Sequence, residues 1–130
     1  MSPITWLAYF LVVVALMWMP YILNSFAVRG IFPSMGYAED LPELSAWAVR
    51  AKKAHANAVE NLALFAPSVL AYHVLVEEVS AAVTTAAMVF VVARVAHYVV
   101  YTAKIPVART VTFLVGWGAN LFIIYSILSA

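Results

Sequence analysis

Residues 50–67 read RAKKAHANAVENLALFAP, a basic segment that runs without a turn signal into an apolar one. Four polar side chains lie near the middle of this stretch, at His55, Asn57, Glu60 and Asn61. The whole chain has 130 residues, of which 66% are hydrophobic and only 10% charged, whereas soluble domains are nearer about half apolar and a quarter charged. The composition predicts an integral membrane protein, and the stretch predicts a helix that enters the membrane from its basic end.

Four segments are long and apolar enough to cross a bilayer, which takes about 20 apolar residues. The first lacks the basic start and cleavage site of a signal peptide, so we expect it to be retained. Asp40 is expected to cap the second helix. Short connections around Glu77 and Pro106 predict antiparallel neighbours. We therefore expect an all-α, integral membrane, four-helix up-down bundle as a single domain over residues 1–130, with spans at roughly 4–27, 44–76, 79–103 and 107–128.

The positive charges predict the orientation of this bundle. All seven Lys and Arg residues fall towards the end that carries the 1–2 and 3–4 connections. Because cytoplasmic loops are enriched in Lys and Arg, this basic end is predicted to be cytoplasmic and both termini to lie on the opposite side. We expect the inner or plasma membrane of a bacterium, or an intracellular membrane.

The composition also argues against several classes of function. A net charge of +1 gives no support for nucleic-acid binding. The chain has no cysteine, so it has no disulfide framework, thiol nucleophile or thiolate metal site. Its three histidines lack the spacing of metal ligands, so no metal is expected.

Two charged residues are predicted to lie well below the basic surface. Arg94 precedes Lys104 by ten residues, and Glu60 follows Arg50 by ten, so each lies about 15 Å deep at 1.5 Å per residue. A charge at that depth costs at least ~2.5 kcal/mol unless it is paired or faces a wet cavity. We therefore expect Glu60 and Arg94 to face each other inside the bundle, as a structural ion pair or as part of a pocket.

Polar residues spaced by three and four positions form stripes on the predicted helices. The hydrogen-bond donors on these stripes suit carboxylates, and Glu60 suits an amine. The expected ligand is therefore a small zwitterionic peptide or an amino-acid-like molecule. A plainer interpretation makes the amides interhelical hydrogen-bonding groups and the tyrosine an interfacial residue. The stripes comprise Arg50, Lys53, Asn57, Glu60 and Asn61 on span 2, Arg94, His97 and Tyr101 on span 3, and Arg109, Thr110 and Thr112 on span 4.

Two strings in the sequence resemble signatures of the MAPEG family, the membrane-associated proteins of eicosanoid and glutathione metabolism. They are RAKKAHANAVEN at residues 50–61 and RVAHYVVYTAKIPVARTVTF at residues 94–113. The number of spans and the position of the termini match as well, so the resemblance covers nearly the whole chain. It implies a homotrimer with glutathione as co-substrate, bound between neighbouring subunits near the cytoplasmic side.

The resemblance also implies roles for individual residues. Asn57 and Glu60 would hold the glutathione backbone, with Glu60 taking the γ-glutamyl amine. His97 and Tyr101 would hold the carboxylate end and the glycyl part. Arg109 would be catalytic, because it matches the arginine that stabilises the glutathione thiolate. The remaining candidates for glutathione binding are Thr110, Arg50, Lys53 and Arg94.

Two departures from the family pattern narrow the expected activity. Ala56 stands where some members carry an arginine that contacts glutathione, and Phe113 where some carry a tyrosine near the sulfur. An eicosanoid synthase is therefore disfavoured. We expect a glutathione transferase or peroxidase of detoxification that acts on lipophilic small molecules arriving from the lipid bilayer.

Two alternatives stay open at this point. The first is a non-catalytic lipid- or ligand-binding membrane protein of the same fold. The second is a small transporter or proton relay built on Glu60, Arg94 and His97. Transport is disfavoured because no span is expected to contain a broken helix and no inverted repeat is found.

Overall fold

The computed structural model describes residues 1–130, and all of its secondary-structure elements are helices. Four helical spans are long and apolar enough to cross a membrane, and two consecutive helices together form the first, Pro3–Arg29. This confirms the predicted all-α bundle, with bounds close to those expected. The helices are α1 Pro3–Leu16, α2 Met19–Arg29, α3 Ile31–Met35, α4 Ala46–Leu75, α5 Ala81–Thr102 and α6 Pro106–Leu128.

Three phenylalanines form the centre of the apolar core. Phe65 of α4 stacks on Phe90 of α5 with ring centroids 3.9 Å apart. Phe10 of α1 meets both rings edge-on, at 5.9 and 5.3 Å. Such pairs contribute about 0.5–1.5 kcal/mol each beyond the area they bury. Because Phe90 lies one helical turn before Arg94, this core forms the floor beneath the polar region of the bundle.

The first span is interrupted near its middle. α1 ends at Leu16 and α2 begins at Met19. Pro20 explains the break, since it has no N–H to donate and its ring crowds the carbonyl of Leu16, four residues earlier. The expectation that no span contains a broken helix is therefore wrong for span 1.

Side chains from the other helices hold the interrupted span in place. The Tyr98 hydroxyl of α5 donates to the Met17 carbonyl at 3.0 Å, directly at the break. One turn further on, the Tyr21 hydroxyl and His55 Nδ1 of α4 are 2.8 Å apart. Irregular backbone at membrane depth is tolerated where protein groups satisfy it, and Tyr98 supplies such a group here.

The connection from span 1 to span 2 begins at Gly30, which separates α2 from α3 and whose φ of 88° favours glycine. A hydrogen bond of 2.8 Å between Ser25 and Ser34 then holds α3 against α2. α4 begins at Ala46, with Ser45 rather than Asp40 at the cap position, so the predicted Asp40 cap is wrong. The Ser45 side chain makes no cap bond, because its hydroxyl accepts from the Asn24 amide at 2.8 Å.

Candidate functional site

A polar groove lies at the basic end of the bundle, between α4, α5 and α6. Its inner part encloses about 230 Å³, and its outer part about 430 Å³. The two parts share Tyr101, Arg109 and Thr110, so they form one continuous surface. We call it the basic groove. Its other lining residues are Asn57, His97 and Phe113 in the inner part and Arg50, Lys104 and Pro106 in the outer part.

Arg109 occupies the centre of the basic groove. Pro106 begins α6 as its first residue, a position that suits proline because the missing N–H would have no helical partner there. This places Arg109 in the first turn of α6, with its guanidinium carbon 5.0 Å from the centroid of the Tyr101 ring. No carboxylate lines the groove. The Arg109 charge is therefore available to an anionic ligand.

His97 and Tyr101 lie one turn apart on α5 and form one wall. Their ring centroids are 5.5 Å apart, and the His97 ring lies 6.2 Å from that of Phe113 on α6. His97 is only 5% exposed, whereas Tyr101 is half-buried at the junction of the two parts. The rings of His97, Tyr101 and Phe113 thus form much of the wall of the inner part, and a few polar groups are exposed to it.

Arg94 lies beneath the inner part and is only 1% exposed. Its Nη1 donates to Asn57 Oδ1 at 3.0 Å and its Nη2 to the Phe113 carbonyl at 2.7 Å. Its guanidinium carbon also lies 4.9 Å from the centroid of the Phe113 ring. Nε has no partner. Gly116 makes room for this side chain, since a Cβ at that position would lie 2.7 Å from Arg94 Nε.

The expected pairing of Glu60 with Arg94 is wrong. Glu60 is exposed on the surface of the single chain, while Arg94 is buried against Asn57 and Phe113. The two depths are similar, but a step of three residues turns Glu60 by about 60° around α4 relative to Asn57. Asn57 therefore occupies the position that faces Arg94.

Other predicted site residues divide into those that the fold brings to the basic groove and those that it does not. Arg50 reaches the outer part, where its Nε donates to the Thr102 carbonyl at 3.0 Å. Lys53 is exposed and, like Glu60, lines neither part. Thr112 was expected to line the pocket, but its hydroxyl bonds back to the Ala108 carbonyl of its own helix at 2.7 Å.

Sequence reasoning missed two features of this site. The Phe113 carbonyl accepts from Arg94, which no pattern of side chains predicts. Gly116, the first glycine of the string GWG at residues 116–118, clears the space for Arg94. A glycine inside an apolar helix was the available signal, because such glycines often permit close approach of another group.

Comparison with family models identifies a match to the MAPEG family over residues 5–129. The chain belongs to the MAPEG family. This confirms the resemblance and supports a membrane protein of glutathione or eicosanoid metabolism, in a family that includes glutathione transferases and other enzymes. Comparison with curated proteins and with solved structures gave no significant match.

Proposed function

We propose that this MAPEG protein is a membrane-bound glutathione transferase or peroxidase whose basic groove binds glutathione and stabilises its thiolate. The observation that carries the proposal is Arg109, a cation in a groove that no carboxylate lines. Its neighbours are His97, Tyr101, Thr110 and the Asn57 amide, which supply hydrogen bonds to the oxygen atoms of a peptide. A tripeptide with two carboxylates and a thiol matches this set of donors.

The chemistry depends on the charge of Arg109. A free thiol has a pKa near ~8.5, and only the thiolate is a strong nucleophile. A guanidinium stays charged and favours the anion by Coulomb attraction, more so where the dielectric is reduced. The thiol proton leaves to solvent, the sulfur forms a bond to an electrophilic carbon, and the leaving group departs with its electron pair.

Hydroperoxide reduction begins from the same thiolate. The sulfur attacks the terminal oxygen of the hydroperoxide, the O–O bond breaks, and the alcohol leaves after it takes a proton. A second glutathione then converts the sulfenic acid to a disulfide and releases water. Lipophilic electrophiles and lipid hydroperoxides both reach the groove from the bilayer.

The exposed position of Glu60 supports a homo-oligomer, and membership of the MAPEG family favours a homotrimer. In the single chain this carboxylate is exposed about ten residues below the basic surface, a depth of about 15 Å. Contact with lipid there would cost at least ~2.5 kcal/mol. A second copy of the chain packed against α4 removes that cost, and it lets Glu60 and Lys53 of one subunit reach a ligand in its neighbour's groove.

In this arrangement Glu60 binds the γ-glutamyl amine. The groove of the single chain has no carboxylate of its own that could do so. Asn57, Arg50 and Thr110 contact the peptide oxygens. The basic end faces the cytoplasm, where glutathione is abundant, and both termini face the other side, in accord with the distribution of Lys and Arg.

The test is conjugation of glutathione to a chlorodinitrobenzene by purified protein, together with a glutathione titration. Arg109→Ala is expected to lower kcat by at least about 100-fold, the scale of one lost electrostatic contact to a developing anion. Lys52→Ala is the control, since Lys52 is an exposed cation outside the basic groove. Glutathione binding by the wild type without any conjugation would instead indicate a non-catalytic member of the family.

A further inference from the structure

The contact between Arg94 and Asn57 fixes the direction in which the Asn57 amide points. Arg94 carries only donors, so the Asn57 atom 3.0 Å from its Nη1 must be the acceptor, Oδ1. The assignment does not depend on telling the oxygen and nitrogen of the amide apart. A rotated amide would place two donors against each other next to a buried charge.

Asn61 reinforces the same orientation from one turn further along α4. Its amide lies 2.8 Å from the Asn57 backbone carbonyl, which only accepts, so that atom must be Nδ2. The same Nδ2 lies 3.3 Å from Asn57 Oδ1. Two donors therefore converge on Oδ1, and both assignments follow from partners whose roles are unambiguous.

The orientation of the amide decides which Asn57 atom is available to a ligand in the basic groove. Its Oδ1 is engaged by Arg94 and Asn61, and its Nδ2 makes no hydrogen bond within the chain. Because Asn57 lines the inner part of the basic groove, the polar group that it offers a ligand is an N–H donor. A cation behind an amide also polarises it, which strengthens the donor.

We infer that Arg94 is a positioning residue that acts through Asn57 and makes this subsite specific for a carboxylate or carbonyl oxygen of the ligand. Arg94 itself is too deeply buried to touch the ligand, and its remaining free atom, Nε, faces Gly116 rather than the groove. The inference rests on the proposed binding of glutathione. It explains why Asn57 meets an oxygen of the peptide, as an N–H donor, and leaves the amine to Glu60.

Gly116 and Gly118 offer a matched pair of variants that leave every polar residue in place. A methyl group at Gly116 meets Arg94 Nε and Nη2 at 2.7 Å and must displace the guanidinium, whereas one at Gly118 meets nothing within 4 Å. Neither glycine lines the basic groove. Gly116→Ala therefore perturbs Arg94 selectively, and Gly118→Ala controls for the added methyl group in α6.

The experiment is a double-mutant cycle of glutathione affinity, measured by titration calorimetry on wild type, Gly116→Ala, Asn57→Ala and the double variant. Gly116→Ala is expected to weaken binding by about ten-fold, equivalent to 1.4 kcal/mol, and Gly118→Ala to leave it unchanged. In the Asn57→Ala background, Gly116→Ala is expected to have no further effect, since the amide that Arg94 orients is gone. Arg94→Lys provides a second route to the same cycle if Gly116→Ala does not assemble.

The Asn57→Asp variant distinguishes a positioning role of Arg94 from a purely structural one. An aspartate keeps an acceptor for Arg94, so the unfolding temperature is expected to be at least that of the wild type. It replaces the N–H donor with a carboxylate oxygen facing the groove, so glutathione affinity is expected to fall by more than about ten-fold.

Three results would overturn the inference while leaving the proposed function intact. The first is an unchanged glutathione affinity in Gly116→Ala although Arg94 is displaced. The second is a full additional loss of affinity when Gly116→Ala is added to Asn57→Ala. The third is a wild-type affinity in Asn57→Asp. Failure of the wild type to bind glutathione is a different outcome, which would remove the proposed function and this inference with it.

Discussion

Truncating Asn57 is predicted to destabilise the protein more than removing the charge that Asn57 binds. Asn57→Ala leaves Arg94 buried with only the Phe113 carbonyl as partner, since Nε is already without one. A lost hydrogen bond to a charged group costs about 1.5–3 kcal/mol. Because Arg94 is 1% exposed, solvent does not reduce this cost. We expect Asn57→Ala to lower the free energy of unfolding by about 2–3 kcal/mol.

Arg94→Met is predicted to be milder for the opposite reason. It loses two charged hydrogen bonds, but it also removes a buried charge that costs at least ~2.5 kcal/mol at this depth. The Asn57 amide oxygen that is left behind keeps one donor, since Asn61 Nδ2 still lies 3.3 Å from it. An apolar side chain of similar length often replaces a buried charge with little net loss. We expect Arg94→Met to change the free energy of unfolding by no more than about 1 kcal/mol, and the variant that combines Asn57→Ala with Arg94→Met to behave similarly.

The measurement is reversible unfolding in mixed detergent micelles, followed by circular dichroism. Asn61→Ala serves as the control, because it removes an amide on the same helix without exposing a buried charge, and it is expected to cost about 0.6 kcal/mol. An Asn57→Ala variant that unfolds like the wild type, or an Arg94→Met variant that is the less stable of the two, would contradict this prediction.

The break in span 1 and the apolar core are predicted to contribute to stability, and the subunit contact to glutathione affinity. Tyr98→Phe removes the hydrogen bond to Met17 at the break and is expected to cost about 0.6–1.7 kcal/mol of unfolding free energy, while Tyr125→Phe, at a tyrosine 65% exposed, should cost nothing measurable. Phe65→Ala opens a cavity between three packed rings and should cost about 3–5 kcal/mol, against little for Phe122→Ala, where the side chain is 41% exposed. Glu60→Gln should lower glutathione affinity at least about ten-fold in an assembled oligomer, because the ionic contact to the ligand amine is lost. An intact oligomer with unaltered affinity would show that Glu60 does not bind the amine.

The sequence predicted the spans well because a bilayer imposes a simple constraint. A helix must be apolar over about 20 residues, so the long and mostly apolar runs around Phe90 and Ile123 leave little choice of structure. The break in span 1 was also visible in principle. Pro20 lies inside an apolar run, and a proline in a helix interior removes one backbone hydrogen bond.

The site was only partly predictable, because helical spacing gives the face of a residue and not its partner. The three- and four-residue steps correctly brought Asn57, His97 and Tyr101 together in the basic groove. The same steps placed Glu60 on one broad stripe with Asn57, and depth alone then matched it with Arg94. Whether Asn57 or Glu60 meets the buried guanidinium depends on how α4 is rotated about its axis relative to α5. Side-chain packing sets this rotation.

The most direct test of the central claim is the ultraviolet absorbance of the glutathione thiolate on the purified protein near neutral pH. A thiolate signal is expected when glutathione is added to the wild type, and its loss is expected in Arg109→Ala even where glutathione still binds. Bound glutathione without a thiolate signal in the wild type, or an equal signal in Arg109→Ala, would contradict the role assigned to Arg109 in the basic groove.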